Sequence, residues 1–177
     1  MKRKVEDERL KEAAYHAVLE ARRWKAIVLR IENEEGLLRK ENVIYAYAIE
    51  LCLKGVLMIN GINITATKLS NGHDLLALFD LLPDEIKKDI KDNLKLPKIE
   101  VKDFFTGEIK ETYETFENIL KLVSNDFFEK RYVYEKYTNG EAILVVKGVL
   151  NVIYEYVVQI ANRQINEYLD EIGHGKI

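Results

Sequence analysis

Apolar residues recur every three or four positions along most of the chain, the spacing that places them on one face of an α-helix. The first run of this kind passes through Leu10, Ala14, Ala17, Ala21, Trp24, Val28 and Ile31. A second helix, from about Glu41 to Met58, is apolar on nearly every face except at Glu50 and Lys54. Because a helix that is apolar all round is normally buried, we expect this helix to be central and in contact with at least two others.

The remaining helices are predicted from turn residues and further apolar runs. Asn60-Gly61 ends the second helix, a polar loop spans 61–72, and a short helix follows from His73 to Leu82. Pro83-Asp84 opens another short helix. Two later runs pass through Phe116, Leu120, Val123 and Phe127, and through Ile143, Val146, Leu150, Ile153, Val157 and Ile160. They predict two longer helices, the second of which starts at Ile143.

Residues 96–109 interrupt the helical pattern. Ile99 and Val101 alternate with charged residues, and Thr106-Gly107 can form a turn, so a small β-ribbon and an irregular insertion both fit the segment. The whole pattern predicts a single all-α domain over 1–177, an antiparallel helical bundle with short connections and this one insertion. We expect its core to include Trp24, Leu51, Val56, Leu120, Ile153 and Val157.

Composition narrows the classes of function. The chain has 177 residues and a net charge of −3, so any contact with nucleic acid must use a local basic patch. Its single cysteine, Cys52, lies in an apolar run and excludes both an intrachain disulfide and a multi-thiolate zinc site. The first residues lack the apolar core of a signal peptide, which favours a cytoplasmic location without a membrane. No Gly-rich phosphate loop, H-E-x-x-H or G-x-S-x-G motif occurs, so we expect neither a metal nor a cofactor.

Residues 125–137, N-D-F-F-E-K-R-Y-V-Y-E-K-Y, concentrate aromatic and charged side chains. If the preceding helix continues into this stretch, Phe127, Arg131 and Tyr134 share its inward side. Two interpretations fit that spacing. In one, the stretch is a packed helix end in which Arg131 pairs with Glu135 at i+4. In the other, Arg131 binds a phosphate while tyrosines stack on unpaired bases.

Three motifs occur in the order found in one known family. They are Y-A-Y-A-I-E-L-C-L-K-G-V-L-M at 45–58, His73-Asp74-Leu75 after the next loop, and N-D-F-F-E-K-R-Y-V-Y-E at 125–135. Together they resemble HEPN (higher eukaryotes and prokaryotes nucleotide-binding) domains over residues 10–170. The resemblance implies an all-α bundle that often forms homodimers and, in active members, a metal-independent endoribonuclease site. That site pairs an arginine, which stabilises charge on the phosphate, with a histidine that transfers protons.

The chain departs from the HEPN motif at the histidine. Counting from Arg131, the expected histidine positions hold Lys136, Tyr137 and Thr138. Glu135 is the nearest group able to exchange a proton, so Arg131 and Glu135 are the candidate catalytic residues. The candidates for binding nucleic acid or another ligand are Lys130, Tyr132, Tyr134, Lys54, Glu50 and His73.

Three of these candidates lie outside the aromatic stretch. Glu50 and Lys54 are four residues apart, so they either form a structural ion pair or border a ligand cleft. His73 is expected to cap or initiate its helix, with a catalytic role as the alternative. A literal arginine–histidine pair, Arg9 and His16, shares one face of the first helix, where a solvated basic stripe is the simpler interpretation.

Two classes of function follow. In the first, the chain is a HEPN-like protein that binds or cleaves RNA in a toxin or antiviral defence setting, with an antitoxin or defence protein as partner. In the second, it is a non-catalytic helical-bundle module that binds a nucleotide or a partner protein. An open cleft with Arg131 beside a proton-transfer group favours the first class, and an Arg131 buried in an intramolecular ion pair favours the second.

Overall fold

A computed structural model of the chain describes residues 2–31, 40–64, 73–102, 109–112, 115–124, 143–145 and 147–173. Within these ranges the helices are α1 (Lys2–Ile31), α2 (Lys40–Ile59), α3 (Leu75–Asp80), α4 (Asp84–Asn93), α5 (Phe116–Val123) and α6 (Lys147–Glu171). The strands are β1 (Ile99–Lys102), β2 (Ile109–Thr112) and β3 (Ile143–Val145). Helices dominate the described part of the chain, and the predicted all-α fold class is confirmed.

The first two long helices, α1 and α2, pack against each other in antiparallel directions. Late in α1, the Trp24 ring meets the Tyr47 ring at a centroid distance of 5.3 Å. Earlier in α1, Val18 and Ala14 lie against Gly55, whose missing side chain lets the two helices approach closely. Residue numbers therefore fall along α1 as they rise along α2, which defines the antiparallel direction.

The third long helix, α6, packs against both of the others. Lys25 and Lys11 in α1 approach Glu155 at 3.9 Å and Glu171 at 4.0 Å in α6, so α1 and α6 are antiparallel. It follows that α2 and α6 run parallel to each other. Among the three long helices, α1 is thus antiparallel to both α2 and α6, but α2 and α6 are parallel to each other. They are parallel because the chain between them, which includes α3, α4 and α5, returns to the end of the bundle at which α2 begins.

As predicted, α2 is the central helix, and it contacts α1, α6, α3 and α5. Its buried apolar residues are Tyr45, Ala46, Ala48, Ile49, Cys52, Leu53, Val56 and Leu57. The predicted core residues Val56, Leu120, Ile153 and Val157 are also buried. Trp24 and Leu51 are only partly buried at the border of the core, so their prediction as core residues was wrong. Leu51 belongs to the face of α2 that carries the charged Lys54, and this face stays half-exposed.

The apolar character of α2 also meets the length and composition test for a membrane span. The stretch Glu41–Ile59 is long and apolar enough to cross a membrane, and 61% of its most apolar 18 residues are buried inside the protein. A buried core helix passes the same test, and the packing of α2 against four neighbouring helices is that of a core helix.

The strands form a small antiparallel sheet in the order β2–β1–β3. β1 and β2 form the β-ribbon alternative predicted for the insertion, with Lys102 opposite Ile109. β3 was not predicted: Ile143 pairs with Lys102, and the last helix begins at Lys147 rather than at Ile143. A run of three aliphatic residues fits a strand as well as a helix. Here the run forms a strand because it pairs with the second edge of β1, and that pairing partner is known only from the folded chain.

Candidate functional site

Two charged side chains of α2 form an ion pair on the half-exposed face of the helix. Glu50 and Lys54 are one helical turn apart, and Lys54 Nζ donates a hydrogen bond of 2.6 Å to Glu50 Oε1. The Glu50 side chain is only 5% exposed, whereas that of Lys54 is 22% exposed. The carboxylate therefore lies inside the protein while its ammonium partner reaches the surface.

His73 joins this pair from another part of the chain. Its Nδ1 lies 2.9 Å from Glu50 Oε2, and its side chain is 32% exposed. His73 does not cap α3, contrary to expectation. The cap is Asp74, whose carboxylate accepts a hydrogen bond of 3.0 Å from the backbone N–H of Ala77. Because Asp74 satisfies the helix end, the imidazole is available to reach across to α2.

The position of His73 is set by contacts on the residues that follow it. Leu75 is buried, and its backbone N–H donates a hydrogen bond of 3.0 Å to Ser124 Oγ. The same hydroxyl donates to the backbone carbonyl of Leu120, so it links α5 to the first turn of α3. The start of α3 is thus held by its own cap, by Ser124 and by the buried side chain of Leu75. His73 immediately precedes this anchored segment, and its side chain contacts Glu50.

We refer to Glu50, Lys54 and His73 as the Glu50 cluster. A buried carboxylate is costly unless hydrogen bonds satisfy it, and here each oxygen of Glu50 has one donor. Since a carboxylate can only accept, the His73 ring must carry a proton on Nδ1, and in the neutral ring Nε2 then holds the lone pair. In the Glu50 cluster, one buried carboxylate thus holds both the imidazole of His73 and the ammonium group of Lys54 in fixed orientations.

An aromatic pair, Trp24 and Tyr47, adjoins the Glu50 cluster. The two rings meet edge to face at an interplanar angle of 83°. Tyr47 precedes Glu50 by one turn of α2, so the two share a face of the helix. Burial raises the pKa of the Tyr47 hydroxyl, and the negative charges of Glu50 and Glu20 raise it further. The aromatic pair therefore lies one helical turn from Glu50 along α2.

The other predicted site residues belong to the aromatic stretch. Arg131 and Glu135, the candidate catalytic residues, lie outside the described residues, and so do Lys130, Tyr132 and Tyr134. The described residues stop at Ser124, immediately before this stretch, and resume at 143. Ser124 Oγ accepts a hydrogen bond from the backbone N–H of Leu75, two positions after His73. Of the predicted site residues, the structure therefore brings together Glu50, Lys54 and His73.

A second polar group, built around Lys25, was not predicted. Lys25 Nζ donates to Tyr45 Oη and Asn151 Oδ1, and it lies 4.5 Å from the centre of the Tyr45 ring. These contacts join α1, α2 and α6. A signal for it exists in the sequence, because Lys25 lies between Ala21 and Val28 at the spacing of the buried α1 face.

The single thiol, Cys52, fits the predicted role of a core residue. It is fully buried, and burial raises its pKa far above the ordinary range, with a further contribution from Glu155. The thiol therefore stays protonated, and a protonated thiol is a poor nucleophile. In the described part of the chain, no group of three or more His, Cys, Asp or Glu side chains is placed to hold a metal ion.

Comparisons of the chain with protein-family models, with curated proteins and with solved structures find no match. The HEPN resemblance, the contact with RNA, the homodimer, the partner proteins and the cytoplasmic location therefore stay predictions.

Proposed function

We propose that this chain is a HEPN-like RNA-associated protein that cleaves RNA without a metal ion. In this proposal His73 transfers the protons, Glu50 holds its imidazole, and the cations at the phosphate are Lys54 and Arg131. The observation that carries the proposal is the buried carboxylate of Glu50, which orients a partly exposed imidazole beside an ammonium group.

The chemistry follows from the groups present. The lone pair on His73 Nε2 accepts the proton of a ribose 2′-OH, and the 2′ oxygen attacks the adjacent phosphorus. The bond from phosphorus to the 5′ oxygen breaks, and that oxygen receives a proton from the imidazolium. The products are a 2′,3′-cyclic phosphate and a 5′-hydroxyl end. Glu50 stabilises the imidazolium that forms in between, and Lys54 stabilises negative charge on the phosphate oxygens.

His73 supplies what the aromatic stretch lacks. The HEPN motif requires a histidine after the arginine, and the residues that follow Arg131 include none at the expected positions. In this chain an imidazole comes instead from the start of α3, which Ser124 ties to the end of α5. Arg131 follows Ser124 by seven positions along the chain. This connection supports a site that combines the two segments.

The test is cleavage of a labelled single-stranded RNA by the purified protein, at low salt and with a metal chelator present. His73→Asn keeps a donor near the position of Nδ1 and removes the group that accepts the proton. We expect it to lower the cleavage rate by about 100- to 10,000-fold, the contribution typical of a general acid or base. Arg131→Ala is also expected to lower it. His16→Asn, at an exposed histidine of α1, is the matched control and should cleave at the wild-type rate.

Three results would overturn the proposal. They are a wild-type protein that neither binds nor cleaves RNA, cleavage that needs a metal ion, and a His73→Asn variant with the wild-type rate. Melting temperatures measured alongside separate a catalytic loss from unfolding. Detection of the 2′,3′-cyclic phosphate identifies the internal attack, because hydrolysis by water does not form it.

A second candidate function is a non-catalytic module that binds a nucleotide or a partner protein. The hydrogen bond between His73 and Glu50 also favours this second function, because it joins the start of α3 to α2 and can serve stability alone. In that case His73→Asn, which keeps the donor to Glu50, leaves the melting temperature and any RNA binding unchanged, whereas His73→Leu, which removes the donor, lowers the melting temperature. The two candidates therefore give opposite results in the same pair of assays.

A further inference from the structure

One side of α1 faces away from the bundle core. The core side is marked by Ala14, Val18, Ala21 and Val28, which are fully buried. On the outward side, side chains recur in steps of three and four residues, so they form one row along the helix. We call this the outer row of α1, and its members are Glu8, Glu12, His16, Leu19, Arg23, Ala26 and Arg30. All of them are exposed except Leu19, which is half-buried.

The outer row carries opposite charges at its two ends. Glu8 and Glu12 lie toward the start of α1. Arg23 and Arg30 lie toward its end, so the row has no net charge when histidine is counted as neutral. Arg23 pairs with Glu20 at 3.1 Å, and among the described residues no ion pair engages Glu8, Glu12 or Arg30. An RNA strand or an anionic membrane along this row would meet as many carboxylates as guanidinium groups, which gives it no net attraction. The same row of a second chain, running in reverse, presents the opposite charge at each end.

A two-fold axis beside Leu19 brings two outer rows together in antiparallel directions. In such a symmetric contact every pair of residues occurs twice. Glu8 precedes Leu19 by eleven positions and Arg30 follows it by eleven, so Glu8 of one copy lies opposite Arg30 of the other. Glu12 lies opposite the small side chain of Ala26, because both are seven positions from Leu19. At the centre the two copies of Leu19 meet, and each covers the exposed part of the other.

We infer that a second copy of this chain docks on the outer row of α1, in the antiparallel direction and about a two-fold axis at Leu19. The inference goes beyond the proposed function and does not depend on it. Ile27, which is 39% exposed, flanks the row beside Ala26 and adds apolar surface to the contact. The row spans about 33 Å and is one helix wide, so the contact belongs to the small interfaces that bury less than about 1,200 Å². Because its ion pairs are exposed, the dimer should dissociate as salt is raised.

Charge reversal at the two ends of the row tests the pairing. Arg30→Glu and Glu8→Arg each convert both copies of an attractive pair into a repulsive one. We expect each to raise the dimer dissociation constant, measured by sedimentation velocity at low salt, by at least about 5-fold. In an equimolar mixture of the two variants both end pairs again have opposite signs, so the mixture should associate as tightly as the wild type. Lys121→Glu, at an exposed lysine of α5, is the matched control and should leave the constant unchanged.

Cysteine substitution tests the position of the two-fold axis. Leu19→Cys places two thiols next to each other across the axis, and mild oxidation should join the two chains by a disulfide. Ala26→Cys is the matched control on the same row. Its two copies lie on opposite sides of the axis, about 21 Å apart along the helices, which is far beyond the reach of a disulfide. The native thiol of Cys52 is fully buried, so it does not compete.

Four results would overturn the inference. They are a wild-type protein that stays monomeric, a dimer that neither charge reversal weakens, a mixture of the two variants that stays dissociated, and cross-linking through Ala26→Cys but not through Leu19→Cys. Vesicles of phosphatidylglycerol and phosphatidylcholine and a single-stranded RNA are the probes for other occupants. A monomeric wild type that binds either probe, and loses that binding in Arg30→Glu, assigns the row to a polyanion instead. Recovery of association in the mixture cannot come from misfolding, because the mixture contains the same two variants.

Discussion

Replacement of Gly55 by alanine tests how closely α1 and α2 pack. A Cβ atom at this position would lie 2.6 Å from Val18 Cγ2 and 3.3 Å from the backbone oxygen of Ala14. Carbon atoms that are not bonded normally approach to about 3.5–4.0 Å, so the added methyl group overlaps Val18. The valine cannot easily turn away, because in a helix its side chain is confined to one strongly preferred rotamer. The backbone of Ala14 is still less able to move.

Two opposing terms set the size of the effect. Alanine in place of glycine within a helix favours folding by about 0.5–1 kcal/mol. Overpacking of a well-packed interior costs about 1–3 kcal/mol. We therefore expect Gly55→Ala to range from neutral to about 2 kcal/mol destabilising. Gly148→Ala, in the first turn of α6, is the matched control, because among the described residues no atom outside its chain neighbours and its own helix backbone lies within 4 Å of the Cβ it would add. It should be neutral or slightly stabilising.

The assay is urea unfolding followed by circular dichroism, with each free energy taken from the transition midpoint and slope. Val18→Ala removes the overlapping methyl group and is itself destabilising, because Val18 is fully buried. In the Val18→Ala background, Gly55→Ala should lose its penalty, which gives a favourable coupling of about 1–3 kcal/mol between the two sites. The close packing would be refuted if Gly55→Ala stabilised the protein as Gly148→Ala does, or if the coupling stayed below about 0.5 kcal/mol.

Three further predictions concern burial, charge and assembly. In urea unfolding, Leu53→Ala should cost about 2–5 kcal/mol because Leu53 is fully buried, and Leu51→Ala should cost clearly less because Leu51 is half-buried; equal costs would contradict the burial of α2. The hydrogen bond from Lys91 lowers the pKa of Glu117, so its ionised form stabilises the fold above the unfolded-state pKa and this contribution is lost as pH falls through the lowered value. Glu117→Gln should therefore cost at most about 1 kcal/mol at pH 7 and nothing in acid. Light scattering at tens of micromolar should give twice the monomer mass of 20.6 kDa, and a monomer mass would reject the homodimer.

Apolar periodicity predicted the long helices because their buried faces repeat at helical spacing. It located the face of α1 less accurately. Ala17 was expected in the buried row, whereas Val18 is fully buried and Ala17 is only partly so. Steps of three and four can be combined in several ways along one helix, and the partner helix selects among them. Here Val18 is selected because Gly55 of α2 leaves room for it.

The candidate site was predictable only where its residues are neighbours in sequence. Glu50 and Lys54 are four apart, so helical geometry alone indicates that they can pair. His73 lies 23 residues from Glu50, and their contact depends on how α3 is anchored to α5. Helical spacing contains no information about such a contact. His73 could be proposed as a candidate from its motif, but its partner could be found only in the folded chain.

The cost of a buried carboxylate bears on which function the Glu50 cluster serves. Buried ionic groups can often be replaced by apolar residues of similar size with no loss of stability. If the cluster serves chemistry, the triple variant Glu50→Leu, Lys54→Leu and His73→Leu should fold with wild-type or higher stability and lose RNA cleavage. If the cluster serves only to fasten α3 to α2, the triple variant should be destabilised or should keep its function. Urea unfolding and RNA cleavage measured on one preparation decide between these outcomes. We expect the first, because the side chains of Lys54 and His73 are both partly exposed and can therefore contact a ligand in solution.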